Sequence, residues 1–169
     1  MKILCVIDSL GSGGAQRQMV NLACGLKSKG HAVELLVYFP DFRFFRAEID
    51  AAGILVHEIH KGRGFSLKAL WRLMQLYRIG QLDGVISFLD APNTYAELAK
   101  LFALSRVKLI VSERSSFINE RKSIYNKLKR RLHLLADVVV ANSHSHANWL
   151  CEYSWLRKKT KTIYNGYFV

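Results

Sequence analysis

Short apolar runs alternate with longer amphipathic segments along this chain. Runs rich in Val, Ile and Leu, each stopping close to a glycine or a polar residue, are Lys2–Ile7, Ala32–Tyr38, Ile54–Glu58, Gly84–Phe88, Lys108–Val111 and Val138–Ala141, with Thr160–Ile163 as a weaker seventh. Runs this short and this continuously apolar are typical of strands that are buried on both faces. The pattern therefore predicts a parallel sheet of about seven strands.

Helical periodicity fills the gaps between these runs. In Ala15–Lys29 the apolar positions from Met19 to Leu26 are three and four residues apart, and Gly30 supplies a stop signal at the C-terminal end. Similar patterns predict helices over Leu67–Ile79, Thr94–Ala103, Ser123–Leu135 and Ser143–Tyr153. Because strands and helices alternate, we expect an α/β fold, a Rossmann-like parallel sheet with helices on both faces.

Composition is consistent with one soluble domain. The chain has 169 residues, half of them apolar and 22% charged, which is enough apolar surface for a core. No apolar run approaches the ~18 residues of a membrane span, and Met1–Ile7 is too short for the core of a signal peptide. The three cysteines are scattered and form neither a metal-type pair nor a disulfide framework. We therefore expect a cytoplasmic protein.

Positive charge accumulates toward the C-terminal end. The net charge is +12, and residues 101–169 contribute thirteen Lys or Arg against four Asp or Glu. Such a bias points to a polyanionic partner, which could be a nucleic acid, an anionic membrane surface or a phosphorylated ligand. The densest basic stretch surrounds a narrow apolar stripe between Ile124 and Leu135 and comprises Arg121, Lys122, Lys127, Lys129, Arg130 and Arg131. It is either a solvated helix face or a surface for membrane or anionic ligand, and no helix-turn-helix, zinc or RRM signature supports nucleic acid.

A glycine-rich loop, Asp8–Ala15, separates the first strand from the first helix. Glycines there allow close approach of a ligand to backbone N–H groups, and the helix dipole favours an anion, although a tight turn has the same composition. Gln16 occupies the third glycine position of a dinucleotide fingerprint, and no Gly-Lys-Ser/Thr follows, so neither a nicotinamide cofactor nor a P-loop is expected.

Polar residues also follow four of the predicted strands. They are Asp90 and Asn93, Ser112–Ser115, Asn142–Ser145, and Asn165. The carboxyl ends of parallel strands share one edge of the sheet, so these side chains form a candidate site, although Ser and Asn also cap helices. The pair Glu113 and Arg114 is either a ligand contact or a structural ion pair. The six histidines show no metal-ligand spacing, and no Gly-x-Ser-x-Gly motif accompanies Ser143.

Taken in order, these segments resemble the N-terminal, acceptor-side domain of a GT-B-fold glycosyltransferase of family 4. The matching pieces are Ser9–Arg17, Asn21–Val33, Gly84–Phe88, Ser112–Ser115, Ala136–Ser143 and Ile163–Gly166, and together they span essentially the whole chain. Many members of that family place a histidine after the fifth strand, where this chain has Ser112, Glu113 and Arg114. That difference favours the subgroup that assembles surface polysaccharide or lipid-linked sugars.

The resemblance implies a division of labour between two Rossmann-like domains. Residues 1–164 would be the acceptor-binding domain, and residues 165–169 would begin the linker to an absent C-terminal domain that binds the nucleotide-sugar donor. The loop Ser12, Gly13 and Gly14 would approach the donor diphosphate and sugar. The acceptor side would be lined by Asp90, Asn93, Glu113, Arg114 and Asn142. Transfer would retain the anomeric configuration and would need no cofactor and no metal.

The basic residues would then hold the enzyme at an anionic membrane, with the protein cytoplasmic and peripheral at the inner membrane face. Its partners would be a nucleotide-sugar, a glycan or lipid-linked acceptor and the C-terminal donor domain, with no nucleic acid. The alternative is a stand-alone Rossmann-like module that binds a nucleotide or anion without transfer chemistry.

Overall fold

A single seven-stranded parallel sheet organises residues 1–114 and 124–166, which are the residues that the computed structural model describes, with side chains described from residue 128 in the second range. The strands are β1 Lys2–Ile7, β2 Ala32–Val37, β3 Leu55–Glu58, β4 Gly84–Phe88, β5 Lys108–Glu113, β6 Val138–Ala141 and β7 Thr160–Thr162. The helices are α1 Gly14–Ser28, α2 Arg46–Ala51, α3 Leu67–Ile79, α4 Asp90–Phe102, α5 Ile124–Arg131 with a 3₁₀ turn at Leu132–Leu134, and α6 His144–Cys151. The predicted Rossmann-like α/β architecture is confirmed.

The strand order places the candidate site. The sheet runs β3-β2-β1-β4-β5-β6-β7, so the chain moves outward from β1 to β3 and then crosses to β4 on the other side of β1. In open parallel sheets, ligands bind outside the carboxyl ends of the strands at this reversal of order. The glycine-rich loop follows β1 and therefore lies at the reversal.

Two apolar clusters, one on each face of the sheet, form the core. Alternate residues of β1 separate between them, since Cys5 and Ile7 pack toward α1 and α2 whereas Leu4 and Val6 pack toward α3 and α4. The cluster that contains Leu4 and Val6 extends across β5 and β6 to Trp149 of α6. None of the described helices is long and apolar enough to cross a bilayer.

One part of the sheet is less well covered by the residues that the structure describes. A cavity of about 570 Å³ lies beside α1, over the face of β4, β5 and β6 that points away from α4. Its lining is mostly apolar and includes Leu22, Ile86, Phe88, Ile110, Val140 and Ile163.

Element boundaries differ from the prediction where long-range pairing decides them. The strand β5 continues two residues past Val111, because Ser112 and Glu113 pair with Val140 and Ala141 of β6. The helix α4 begins at Asp90, four residues earlier than predicted. The six-residue helix α2 was not predicted at all.

Two of the described side chains of α5, Leu128 and Arg130, are placed opposite to the prediction. The prediction placed the Leu stripe inward and the basic residues outward. In the structure Leu128 is 64% exposed, whereas Arg130 is only 1% exposed and contacts Glu113 and the ring of Trp149. The expectation that Arg130 faces a membrane is therefore wrong, because its guanidinium pairs with charged and aromatic groups in the interior.

Candidate functional site

The glycine-rich loop presents an uncapped helix N-terminus. Gly13 is the N-cap of α1 in extended conformation, no side chain among residues 1–114 and 124–166 is seen to cap the helix, and its first turn holds no acidic residue. The first N–H groups of any helix have no carbonyl partner within it. Ser12, Gly13 and Gly14 are exposed, so these donors and the positive end of the helix dipole are open to an anion.

Hydrogen bonds fix this loop from behind. Gln16 Nε2 donates to Asp8 Oδ1 over 2.8 Å, which ties the first turn of α1 to the end of β1. The backbone N–H of Leu10 donates to the carbonyl of Phe42, and the N–H of Phe45 donates to the carbonyl of Leu10. The loop after β2 therefore braces the loop after β1.

Gly13 has little room for a side chain. A Cβ at this position would lie 2.1 Å from Gln16 Oε1, so any larger residue must displace the Gln16 side chain from its bond with Asp8. At Gly14 a Cβ would meet nothing within 4 Å.

The turn between β4 and α4 carries backbone strain. Leu89 has φ +74° and ψ 156°, a conformation that side-chain-bearing residues rarely adopt. Asn93 holds it in place, because its backbone N–H donates to the Leu89 carbonyl and its Nδ2 donates to the Ser112 carbonyl over 3.0 Å. Asn93, which was expected to line the acceptor side, is completely buried in this structure and holds the turn instead. Asp90, at the start of α4, is partly exposed and pairs with Lys129 Nζ.

Glu113 lies in a buried charged cluster that we call the His133 cluster. His133 bonds Glu97 Oε1 through Nδ1 and Glu113 Oε1 through Nε2, at 2.5 and 2.7 Å. Arg130 Nη2 lies 3.5 Å from Glu113 Oε2. All four side chains are buried. Of the two roles that the sequence left open for Glu113, the geometry shows the ion pair, which packs α5 against the sheet and encloses the carboxylate.

The two glutamates control the charge of His133. Burial lowers the pKa of His133, but its hydrogen bonds with Glu113 and Glu97 and their negative charges outweigh that effect and raise the pKa to about 9. Burial raises the pKa of Glu113, but the hydrogen bond and charge of His133 and then the charge of Arg130 outweigh that effect and lower the pKa to about 2. For Glu97 burial dominates, so its pKa is raised. His133 is thus an imidazolium at neutral pH.

Arg114 lies on the opposite face of β5 from Glu113. Its guanidinium stacks over the Phe88 ring at 3.9 Å, and its Nη1 donates to Asn165 Oδ1 over 2.7 Å. Burial lowers the pKa of Arg114 to about 10. Arg114, Ser112 and Phe88 line the polar end of the 570 Å³ cavity.

The last described residues lie against α1. Gln18 Nε2 donates to the Gly166 carbonyl, and the Gly166 N–H donates back to Gln18 Oε1. Asn142 is half-buried at the end of β6, and the next residue, Ser143, caps α6 by accepting the His146 N–H.

The structure thus brings together only part of the predicted site. Arg114 meets Asn165, and the loop Ser12–Gly14 stands open, whereas Asn93 and Glu113 are enclosed. Of the basic residues, Arg121 and Lys122 lie outside the described residues, as does the Lys127 side chain; Lys129 pairs with Asp90, and Arg131 is exposed. Sequence reasoning missed Gln16, Gln18 and His133. The spacing of Arg130 and His133, one helical turn apart, was the available signal for a shared inward face.

In the part of the chain that the structure describes, no group of three or more His, Cys, Asp or Glu is placed to hold a metal ion. The polar groups at the carboxyl edge include backbone N–H donors, amides, the Arg114 guanidinium and the carboxylates of Asp8 and Asp90, and such donors and acceptors suit phosphate and hydroxyl groups.

Comparison with known proteins decides the family. The sequence profile of Glycosyltransferase Family 4 matches residues 12–167. The chain belongs to glycosyltransferase family 4. A curated relative from Campylobacter jejuni is 30% identical over 139 residues, which cover 77% of this chain and 37% of the relative. That protein is the GalNAc-alpha-(1->4)-GalNAc-alpha-(1->3)-diNAcBac-PP-undecaprenol alpha-1,4-N-acetyl-D-galactosaminyltransferase.

Solved structures show the same fold in this family 4 chain. Anabaena Alr3699/HepE, crystallised with UDP and glucose, superposes with a TM-score of 0.79 at 20% identity over 99% of this chain and 45% of that one. The lipopolysaccharide outer core galactosyltransferase WaaB gives 0.72 at 15% identity, covering 99% and 46%. A glycosyltransferase from Rickettsia africae gives 0.73 at 23% identity, covering 98% and 43%.

The family 4 chain described here spans less than half the length of these relatives. Its sheet is the Rossmann-like N-terminal half of the GT-B architecture, as the resemblance predicted. The identities to the solved structures establish the fold of the chain and leave its substrates to be proposed.

Proposed function

We propose that this chain is the acceptor-binding half of a retaining glycosyltransferase that moves a sugar from a nucleotide-sugar to a lipid-linked glycan during surface polysaccharide synthesis. In this proposal residues 1–164 form the acceptor domain and residues 165–169 begin the linker to a C-terminal donor domain. The Campylobacter relative, whose named acceptor is a glycan on undecaprenyl diphosphate, supports the lipid-linked class. The HepE complex with UDP and glucose supports a nucleotide-sugar donor.

The observation that carries the proposal is the open N-terminus of α1 at the reversal of strand order. During transfer the bond between the anomeric carbon and the donor phosphate oxygen breaks, and a bond to an acceptor hydroxyl oxygen forms. The hydroxyl proton is released, and negative charge develops on the leaving diphosphate. The exposed N–H groups after Gly13 and the dipole of α1 would stabilise that charge. Such stabilisation is electrostatic and needs no metal or cofactor.

Acceptor contacts fall to the polar groups that remain accessible at the carboxyl edge. The Asp90 side chain is partly exposed; its Oδ2 pairs with Lys129, and its Oδ1 is buried without a hydrogen-bond partner among the described residues. Arg114 and Asn142 lie farther along the same edge, after β5 and β6. A glycan offers hydroxyl groups that both donate and accept, which fits a mixed set of carboxylate, guanidinium and amide groups.

The test is substitution of Gly13 in the full-length protein, with transfer measured by mass spectrometry from a panel of nucleotide-sugars to lipid-linked glycans. Gly13→Val should lower transfer by on the order of 10²-fold, because it blocks approach to the N–H donors. Gly25→Ala is the matched control, since a Cβ there meets nothing within 4 Å and alanine favours a helix. Equal melting temperatures would show that both variants fold.

A second pair of variants separates the backbone from Gln16. Gly13→Val displaces the Gln16 side chain, so Gln16→Ala alone must be measured beside the double variant. The proposal expects Gln16→Ala to retain most of the transfer activity and the double variant to remain inactive. Full transfer by Gly13→Val would remove the loop from the site. Nucleotide-sugar binding without transfer to any glycan would favour a binding module.

A further inference from the structure

The outer face of α3 is apolar and basic at the same time. Seven positions of this helix share one arc of about 140°, from the 100° step per residue. They are Leu67, Lys68, Trp71, Arg72, Gln75, Arg78 and Ile79, while Ala69, Leu70, Leu73, Leu76 and Tyr77 form the buried side. An ordinary solvated helix face carries no Leu–Trp pair at i, i+4, because the polar face normally excludes large apolar side chains.

The apolar members of this face are well exposed. Leu67 is 74% exposed and Trp71 is 59% exposed. Phe65, in the loop just before α3, is 58% exposed and stacks on Tyr95 of α4 at 5.1 Å between ring centroids. Leu67 and Trp71 are one helical turn apart, and Phe65 is two residues before Leu67, so three exposed apolar side chains lie close together in the chain. Clusters of exposed apolar residues mark interaction sites.

Charge around these apolar residues has one sign. Residues 59–82 contain five Lys or Arg and no Asp or Glu: the cations are Lys61, Arg63, Lys68, Arg72 and Arg78. Among the residues that the structure describes, none of the five lies within salt-bridge distance of a carboxylate; Arg72, for instance, donates to the Gln75 amide, and Arg78 to the Phe102 carbonyl. Exposed aromatic groups ringed by unneutralised cations complement an anionic lipid surface, where rings enter the headgroup region and cations meet phosphates.

The neighbouring surface continues the same chemistry. Phe65 stacks on Tyr95 of α4. The preceding residue of α4, Thr94, lines a groove of about 530 Å³ together with residues of α5 and the turn after it. That groove is lined by Leu128, Lys129, Arg131, Leu132, Leu134 and Leu135. The helices α3, α4 and α5 therefore lie side by side over one face of the sheet.

We propose that Phe65, Leu67 and Trp71, with Lys68 and Arg72, form the contact of this protein with an anionic phospholipid bilayer. The contact is centred on α3 rather than on the basic stretch 121–131, where Arg130 is buried and Lys129 is paired. The loop 59–66 enters α3 from the carboxyl end of β3, so lipid bound here would lie beside the edge that holds the proposed transfer site. The contact itself requires no transfer chemistry.

The test uses vesicles of pure phosphatidylcholine and of phosphatidylcholine with phosphatidylglycerol, with the bound fraction measured by sedimentation at low salt. The protein should bind only the anionic vesicles. Lys68→Gln with Arg72→Gln should weaken binding by about thirtyfold, since each cation near the surface contributes on a scale of ~1 kcal/mol. Lys29→Gln with Lys158→Gln removes the same charge from exposed positions elsewhere and should have little effect.

Apolar insertion is tested separately. Leu67→Ser with Trp71→Ser should weaken binding at least about tenfold, whereas Leu55→Ser, at a 59% exposed position on β3, should not. The fluorescence measurement uses a Trp155→Phe background, because Trp155 is only partly buried. In that background, lipids brominated on their acyl chains should quench the fluorescence of Trp71, and Trp71→Phe should abolish that quenching, because Trp149, the third tryptophan, is buried.

Binding to anionic vesicles that is unchanged in the charge variant, quenching that survives in Trp71→Phe, or indifference to every vesicle would each overturn the proposal. Melting temperatures show that the variants fold. Transfer activity is not the readout, so failure here leaves the proposed function standing, and loss of transfer in Gly13→Val leaves the lipid contact standing.

Discussion

His133 carries a positive charge in the interior of the domain, and two carboxylates maintain it. Its Nδ1 and Nε2 bond Glu97 and Glu113, while Arg130 reaches the second oxygen of Glu113. A protonated imidazole between two carboxylates is favourable only if both hydrogen bonds persist, since an unpaired buried charge is costly. The cluster therefore makes stability depend on pH.

The stability of the domain should fall as the pH rises above neutrality. The folded-state pKa of His133, about 9, lies above its ordinary value of 6.5. Its contribution to stability is therefore complete below about pH 6.5 and is lost as the pH rises toward 9. Melting temperatures between pH 6 and pH 10 should fall across this window, and the fall should be smaller in His133→Gln.

His60→Gln is the control for this prediction, because His60 is largely exposed. It should reproduce the wild-type profile. A profile of His133→Gln parallel to that of the wild type would show that His133 is neutral in the folded protein. Where the variant is too unstable to measure, the ring proton resonances of His133 report the same pKa directly.

Arg130 is the second residue whose position carries a prediction. Arg130→Met leaves Glu113 buried without one of its two cationic partners, so we expect a loss of about 3–5 kcal/mol in the free energy of unfolding. Arg131→Met, at the exposed neighbouring position, should change it by less than about 0.5 kcal/mol. Urea titration with matched slopes measures both, and equal effects would contradict the described orientation of α5.

At the scale of elements, the sequence predicted what local periodicity determines and missed what distant partners determine. The bounds of β1, β4 and β6 agree with the prediction, because each is a short apolar run with a local stop. By contrast, Ser112 and Glu113 are polar and were expected beyond β5, yet they are buried strand residues. Their burial depends on β6 and on His133, twenty residues later, and no local pattern contains that information.

The helix α5 shows the same limit. A wheel of Ile124–Leu135 separates leucines from cations, and burial of the leucines is the default expectation. The structure buries Arg130 and His133 instead, because the carboxylates of Glu97 on α4 and Glu113 on β5 pair with them. In the site, the open glycine loop followed from sequence, whereas the enclosure of Asn93 depended on a carbonyl of β5.

At the scale of the whole molecule, the reactivity of the Cys5 thiol reports unfolding of the sheet. It lies in β1, the strand paired with both β2 and β4, and is completely buried, which raises the pKa of its thiol to about 12. A thiolate can therefore form only when the sheet opens. Cys24 and Cys151 are partly exposed.

We expect a thiol reagent to label two cysteines quickly and the third slowly. The slow rate should rise with urea in parallel with global unfolding, and Cys5→Ala should remove the slow phase. Labelling of Cys5 at the rate of the other two would mean that β1 opens locally, which would contradict its central place in the sheet.

The last residue of β5, Glu113, and the residue after it, Arg114, are under different structural constraints. Glu113 points into the His133 cluster, whereas Arg114 points into the cavity beside Phe88. A substitution at one position therefore disturbs different contacts from a substitution at the other. A substitution of Glu113 changes the stability of the fold, whereas a substitution of Arg114 changes the shape and charge of the cavity. A lineage can therefore change the chemistry of that cavity one codon away from a residue that it cannot easily change.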